Sequence, residues 1–208
     1  MAELDTKTKI LKTAEELFAI DGFHHTSLRK ITTKAGVNLA AVNYHFGSKE
    51  SLLGAIFDRH LCPLNEIRIK RMAAVATQAE KSGERPGVEE VLRCFTEPTL
   101  ALLHRDDSTG YFRMLVGRAL SDPDPTVRQL FLQRVRDVLE LLMDLLCQAL
   151  PHRSRESVAW KLQFSLGAMS QTLTFQNHGP ILGSLAKDKS IDDVIEMLTE
   201  FIVKGMEG

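Results

Sequence analysis

Apolar residues recur at three- and four-residue intervals along almost the whole of this 208-residue chain, and strict alternation is scarce. That period lays one apolar stripe along a helix and cannot line one face of a sheet. The chain is therefore predicted to be all-α, with about nine helices and no internal repeat.

Capping residues punctuate the stripes. The first helix is expected over residues 6–21, where Ile10, Leu11, Ala14, Leu17 and Phe18 share a face and Gly22 stands at the C-terminal cap. Ser27 can cap a short helix over 28–35 that ends at Gly36-Val37, and Asn38 a second over 39–45. Ser48 opens a longer helix that continues to the hinge-like run Lys81-Ser82-Gly83-Glu84-Arg85-Pro86-Gly87. A fifth is expected over 88–104 with a kink at Pro98, and a sixth over 109–120. Asp124-Pro125 pairs an N-cap with proline at the first helical position, starting a helix that runs to about Leu150. Val127, Phe131, Val138, Leu142, Leu145 and Ala149 mark its stripe. The last two helices are expected over 154–176 and 190–204, the latter opened by Ser190-Ile191-Asp192-Asp193, a capping box with Asp in place of Glu.

Several functional classes are disfavoured. The net charge of −1 means the molecule is no polycation, so a nucleic-acid site must be a local patch. MAELDTKTKI has no apolar core of a secretory leader, and three scattered cysteines without a Cys-x-x-Cys fit a reducing, cytoplasmic setting. Residues 162–186 carry no Asp, Glu, Lys or Arg. They do hold Gln163, Ser165, Ser170, Gln171, Thr172, Thr174, Gln176 and Asn177, and Gly179-Pro180 breaks them, so a buried helix fits better than a membrane span. No Gly-rich phosphate loop, Gly-x-Ser-x-Gly or His-Glu-x-x-His occurs, and His24-His25 has no metal-ligand partner at a suitable spacing. Neither an enzyme nor a bound cofactor or metal is expected. A redox switch through Cys62, Cys94 or Cys147 is weighed against their positions on helix stripes, which suit inert core residues.

The informative segment is 23–53, FHHTSLRKITTKAGVNLAAVNYHFGSKESLL. Two short helices joined by Ala35-Gly36-Val37 have the layout of a helix-turn-helix, with Gly36 free to take the positive φ of a tight turn. Ile31, Ala35, Val37, Val42 and Phe46 are the apolar residues that hold the pair against the first helix. From Gly22 to Lys49 there is no acid, while Arg29, Lys30, Lys34 and Lys49 are basic, which places positive charge where a phosphate backbone would be met. Charge alone usually marks no more than a solvated basic face.

Thr26-Ser27, Ile31 with Ala35-Gly36-Val37, and Tyr44-His45-Phe46-Gly47-Ser48-Lys49 together resemble the DNA-binding domain of the TetR family of transcriptional regulators. The resemblance spans about fifty residues and implies a reader over 1–49 joined to an effector-binding and dimerisation domain over 50–208. Leu39, Ala40, Ala41, Val42, Asn43, Tyr44 and His45 then form the recognition helix, which enters the major groove by its N-terminal part. Ala40 and Ala41 are small enough to touch a thymine methyl, and Asn43 carries the amide suited to adenine. By resemblance, Tyr44, His45 and Lys49 clamp phosphates, as do Thr26 or Ser27 and Arg29, whereas Lys30 and Lys34 are read as solvated.

The same resemblance implies a homodimer on a palindromic operator in double-stranded DNA, a repressor role, and a small hydrophobic effector held between central helices. Candidate interface residues are Leu162, Leu166, Met169 and Leu173 with Ile191, Val194, Ile195, Leu198, Phe201 and Ile202. Gly167, Ala168 and Ser170 permit close backbone approach. Candidate effector-lining residues are Phe95, Leu102, Tyr111, Phe112, Met114, Leu115, Trp160, Phe164 and Phe175, with Arg113, Arg118 and His104 available to an anionic head group. Aromatic and methionine residues at this spacing are also ordinary core. Residues 31–49 are similar to a branch of the family that includes regulators of fatty-acid metabolism, which makes a fatty acid or acyl derivative a candidate effector. That stretch lies in the reader and speaks more to the operator than to the ligand.

Overall fold

The computed structural model describes residues 5–103, 110–121, 125–178 and 190–208, and the side chains of 121 and 174–178 lie outside that description. Among the described residues the chain is helical, in the order α1 (Thr6–Asp21), α2 (Leu28–Ala35), α3 (Leu39–Phe46), α4 (Lys49–Ser82), α5 (Val88–Leu100), α6 (Gly110–Ser121), α7 (Pro125–Ala149), α8 (Arg155–His178) and α9 (Ile191–Glu207). The all-α expectation holds, and most helix limits fall within two residues of those read from the sequence. Pro98 lies inside α5, which stops at Leu100 rather than running on to 104 and tightens into a 3-10 turn over Ala101–Leu103. Pro63 lies inside α4, where the apolar stripe of the sequence continues through it and masks it. The expected cap Asp124 and the break at Gly179-Pro180 fall outside the described residues.

The chain divides into two compact units. The first is Met1–Cys62 with Asp106–Arg134. Here Ile10, Ala14, Leu17 and Phe18 of α1 are buried, as are Ile31 of α2, Val42 of α3, Leu52, Leu53, Ile56 and Phe57 of α4, and Phe112 and Leu115 of α6. Burying side chains of this size stabilises by about 1.5–3 kcal/mol each. Polar ties fix the arrangement. Arg118 of α6 donates to the Ile20 carbonyl at the end of α1 (2.9 Å), and Arg134 grips Asp58 at 2.6 and 3.1 Å. The buried Glu15 meets His60 at 2.8 Å, and the His60 ring stacks on Phe112 with centroids 4.3 Å apart.

The second unit is Pro63–Arg105 with Val135–Gly208. Its core takes Met72 and Val75 from α4, Val91, Leu92 and Phe95 from α5, Leu142, Leu145 and Leu146 from α7, Val158, Leu162 and Met169 from α8, and Ile202 and Met206 from α9. Arg93 ties α5 to α9, meeting Glu89, Glu97 and Glu196, and these carboxylates (Glu89 foremost) hold its guanidinium above the ordinary arginine range. The Ser190–Asp193 capping box forms as its sequence implies. Of the cysteines, Cys94 is buried, which pushes its thiol pKa up, and Cys147 is half-buried. Cys62 departs from the core reading: it is exposed because it falls between the buried positions Leu61 and Leu64. No described helix is long and apolar enough to cross a membrane.

Candidate nucleic-acid interface

Two eight-residue helices are too short to persist alone in water, so the geometry of this region depends on its caps and its buried face. Ser27 begins α2, its hydroxyl accepting the Lys30 N–H at 3.1 Å. Gly36 ends it with φ +66, a left-handed cap in which Val37 N–H reaches back to the Thr32 carbonyl at 3.0 Å. A side chain at Gly36 has open space around it, so the demand for glycine comes from the backbone angle alone. Two residues later Asn38 caps α3, its Oδ1 accepting the Ala41 N–H at 2.8 Å. The turn between the helices is therefore closed on both sides by side-chain and backbone hydrogen bonds.

This clamp decides what α3 presents. Val42 is fully buried and anchors the helix, while Leu39, Ala40, Asn43 and Tyr44 are exposed, and Ala41, His45 and Phe46 are half-buried. Tyr44 is 86% exposed, far more than an aromatic side chain retains in a settled core, and its ring meets His45 edge-on at 5.1 Å. Exposed positions at i, i+1, i+4 and i+5 form one stripe, which holds Ala40 and Asn43 of the expected base readers and leaves Ala41 beside it. Ser27 and Arg29 are also exposed.

Two expected phosphate ligands are engaged in the scaffold, Thr26 wholly and Lys49 in part. Thr26 is fully buried, and its hydroxyl donates to the Gly22 carbonyl at 2.9 Å and the Leu17 carbonyl at 3.2 Å, locking the turn between α1 and α2. Its hydroxyl is thus withdrawn from the surface. Lys49 donates to the Phe23 carbonyl at 3.0 Å and the Thr26 carbonyl at 3.2 Å, with its ammonium 4.2 Å from the Phe23 ring centroid. Two of its three donors are spent on that turn. Lys30 pairs with Asp21 at 2.9 Å and Lys34 with Glu16 at 2.6 Å, so both are tied to α1 rather than simply solvated. The acid-free segment thus borrows its counter-charges from the preceding helix, which leaves Arg29 and the remaining donor of Lys49 as its basic groups for a phosphate.

The expected effector-lining residues divide between the units. Phe112, Arg113 and Leu115 are buried in the first, Met114 is half-buried, and Tyr111 is exposed. Phe95 and Leu102 are buried in the second. Arg118 is occupied by the Ile20 carbonyl. Trp160 and Phe164 correct the expectation: both are exposed on α8, because the buried stripe of that helix runs through Val158, Leu162, Ser165, Met169 and Leu173 and leaves them on the opposite side. The Phe175 side chain and His104 lie outside the described residues.

Burial takes only some of the expected dimer residues out of a partner's reach. Leu162, Met169, Leu173 and Ile202 are buried within the chain's own fold. Leu166, Ile191, Val194, Ile195 and Leu198 are half-buried, and Phe201 is exposed. The exposed large apolar side chains described on these two helices are Trp160 and Phe164 of α8 and Met197 and Phe201 of α9.

Arg68 is a residue that sequence reasoning missed. It is 3% exposed on α4, with Nη1 donating to Asn65 Oδ1 at 2.8 Å and Nη2 to Thr99 Oγ1 at 2.6 Å, and its guanidinium lies 4.1 Å from the Phe95 ring centroid. Among the described residues no carboxylate pairs with it, and burial lowers its pKa from the ordinary arginine range to about 9. A signal was present in the sequence: Arg68 occupies a stripe position between Leu64 and Met72, four residues from each.

Both parts of the chain match known families. The family described as "Bacterial regulatory proteins, tetR family" matches residues 10–56, and that described as "Tetracyclin repressor-like, C-terminal domain" matches residues 93–205. The HTH-type transcriptional regulator UidR of Escherichia coli is 39% identical over 51 residues, which are 24% of this chain and 26% of that protein. The HTH-type transcriptional repressor Rv3405c of Mycobacterium tuberculosis is 45% identical over 49 residues, again 24% and 26%. The matched segment thus spans about a quarter of these curated relatives. The fatty acid degradation regulator FadR from Bacillus halodurans has the same fold, with TM-score 0.68, 16% identity and coverage of 99% of this chain and 98% of that one. FadR from Bacillus subtilis, solved in complex with stearoyl-CoA, gives TM-score 0.65 at 19% identity over 95% and 97%.

Proposed function

The chain belongs to the TetR family of bacterial regulatory proteins, a family of DNA-binding transcriptional regulators rather than enzymes, and on that premise we propose that it is a homodimeric repressor released from a palindromic operator by a small hydrophobic effector. The observation that carries this reading is the stripe of α3. A helix pinned by buried Val42 holds Leu39, Ala40, Asn43 and Tyr44 outward between two capped turns.

In this reading residues 1–49 read DNA and 50–208 bind effector and partner, a functional boundary distinct from the division into compact units. Asn43 reads an adenine, Leu39 and Ala40 (with half-buried Ala41 beside them) meet thymine methyls, and Tyr44, His45, Ser27 and Arg29 hold phosphates. Lys49 offers its third donor to a phosphate while fixing the preceding turn. With so few long polar groups on the stripe, part of the specificity comes from DNA shape. The dimer pairs α8 and α9 with their mates through Trp160, Phe164, Met197 and Phe201, an isologous surface about a two-fold axis. The protein works in the cytoplasm, beside its operator.

An effector releases the operator only through different affinities for the DNA-binding and non-binding conformers. A fatty acid or acyl derivative is the class to examine first, supported by the branch resemblance of residues 31–49 and by the stearoyl-CoA complex of a protein with this fold. Selection of bound sequences from random duplex DNA at physiological salt tests the reading. The expected result is an enriched palindrome whose half-sites lie about 34–36 Å apart, or a multiple of that. A single unpaired half-site, or no enrichment by a folded dimer, overturns it.

A further inference from the structure

From the buried guanidinium of Arg68, which no carboxylate pairs with among the described residues, we infer that the effector carries an oxyanion, a carboxylate or a phosphate, which pairs with Arg68 inside the second unit. The inference rests on the effector reading above and specifies the chemistry of that ligand. A buried arginine is ordinarily matched by a carboxylate, because an ion taken out of water without a partner costs several kcal/mol. The partners of Arg68 among the described residues are neutral: Asn65 Oδ1, Thr99 Oγ1 and the face of Phe95. The Thr99 hydroxyl in turn donates to the Phe95 carbonyl, so it is committed on both sides.

Those two hydrogen bonds use two of the five guanidinium N–H donors. Nε is buried with no partner among the described residues, and so is the hydroxyl of Thr96, which precedes Thr99 by three residues and shares its side of α5. Unpaired buried donors are rare in folded proteins and call for an explanation. Asn65, Thr99 and Phe95 orient the guanidinium without neutralising it. Orienting a charge while leaving it unpaired is what an anion site requires, since the site then contributes its attraction without reorganising. The lowered pKa of Arg68 has the same origin in desolvation and leaves it cationic at neutral pH.

The test uses the full chain, wild type and Arg68→Met and Arg68→Lys variants, with laurate, lauryl phosphate and the uncharged methyl laurate as probes. Binding is read by calorimetry, and operator release by fluorescence anisotropy on the selected palindrome. Laurate or lauryl phosphate is expected to bind wild type more tightly than methyl laurate does. Arg68→Met should lose about thirtyfold or more of the anion's affinity while its affinity for methyl laurate stays within about threefold, since the partner of a buried charge is removed. Arg68→Lys should fall between the two, keeping charge but not the planar fork. The laurate and lauryl phosphate arms separate the two anion sources. Equal anion affinity in wild type and Arg68→Met overturns the inference. Release by methyl laurate alone overturns it too, and leaves the effector reading standing. Silence of all three probes, with operator binding intact, counts against both. Denaturant unfolding supplies a readout without ligand: Arg68→Met is expected to be at least as stable as wild type, and a loss of stability would assign Arg68 to the scaffold and overturn the inference.

Discussion

Replacing Lys49 by methionine keeps a stem of similar length and deletes the ammonium that holds the Phe23–Thr26 turn. The structure gives that ammonium two carbonyl acceptors, at 3.0 and 3.2 Å, and an aromatic face at 4.2 Å. A hydrogen bond to a charged group contributes about 1.5–3 kcal/mol net, and an exposed cation–π interaction about 0.5–1 kcal/mol. One half-buried group makes all of these interactions, so they do not add, and the expected loss is about 2–3 kcal/mol. For a chain of this size that lowers the melting midpoint by about 4–12 °C. Circular dichroism during heating and urea titration would measure it. A second assay separates the DNA role: the slope of log affinity against log salt should flatten by about 0.9 for each phosphate that is no longer neutralised, or about 1.8 for a symmetric dimer. A midpoint that moves by less than about 1 °C would refute the turn-holding role. An unchanged salt slope would refute the phosphate role and leave Lys49 purely structural.

Other expectations concern separate parts of the molecule. Asn43→Ala, at an exposed position of α3, should leave stability within about 0.5 kcal/mol and cost about 1–3 kcal/mol at one operator position; equal affinity for all single-base operator variants would remove its reading role. Phe164→Glu with Phe201→Glu, at side chains 66% and 65% exposed, should yield a folded monomer by sedimentation, and an intact dimer would place the interface elsewhere. Ser190→Ala removes the hydroxyl that accepts the Asp193 N–H, and denaturant titration should show a loss of about 1 kcal/mol. Arg68 gives a pH dependence of known sign, because burial lowers its pKa from the ordinary arginine range of the unfolded chain to about 9. Below the lower value both folded and unfolded states are protonated and the burial penalty is complete; between the two the unfolded chain binds more protons, so stability rises with pH. The stability of wild type relative to Arg68→Met should therefore improve above about pH 9, and a flat difference would contradict the burial penalty.

The sequence alone determined the helices, because caps and periodicity act over distances of three or four residues. Ser27, Gly36, Asn38 and Ser190 each bond within their own turn, and each appears in the structure where its local chemistry places it. The layout of the reader was legible for the same reason, whereas the stripe of Leu39, Ala40, Asn43 and Tyr44 emerged only once Val42 was buried. The use of individual side chains was not legible. Thr26 and Lys49 look like surface phosphate ligands in the sequence, but carbonyls from residues 4 to 26 positions away claim them. Trp160 and Phe164 look like cavity residues, yet which side of α8 is buried depends on where α5 and α9 pack against it. Arg68 shows the same division: its place on an apolar stripe is written in the sequence, whereas its neutral surroundings follow from partners brought up from α5. Local hydrogen bonding and periodicity fixed the elements, and only long-range packing decided which polar groups were spent on the scaffold and which were left for a ligand or for DNA.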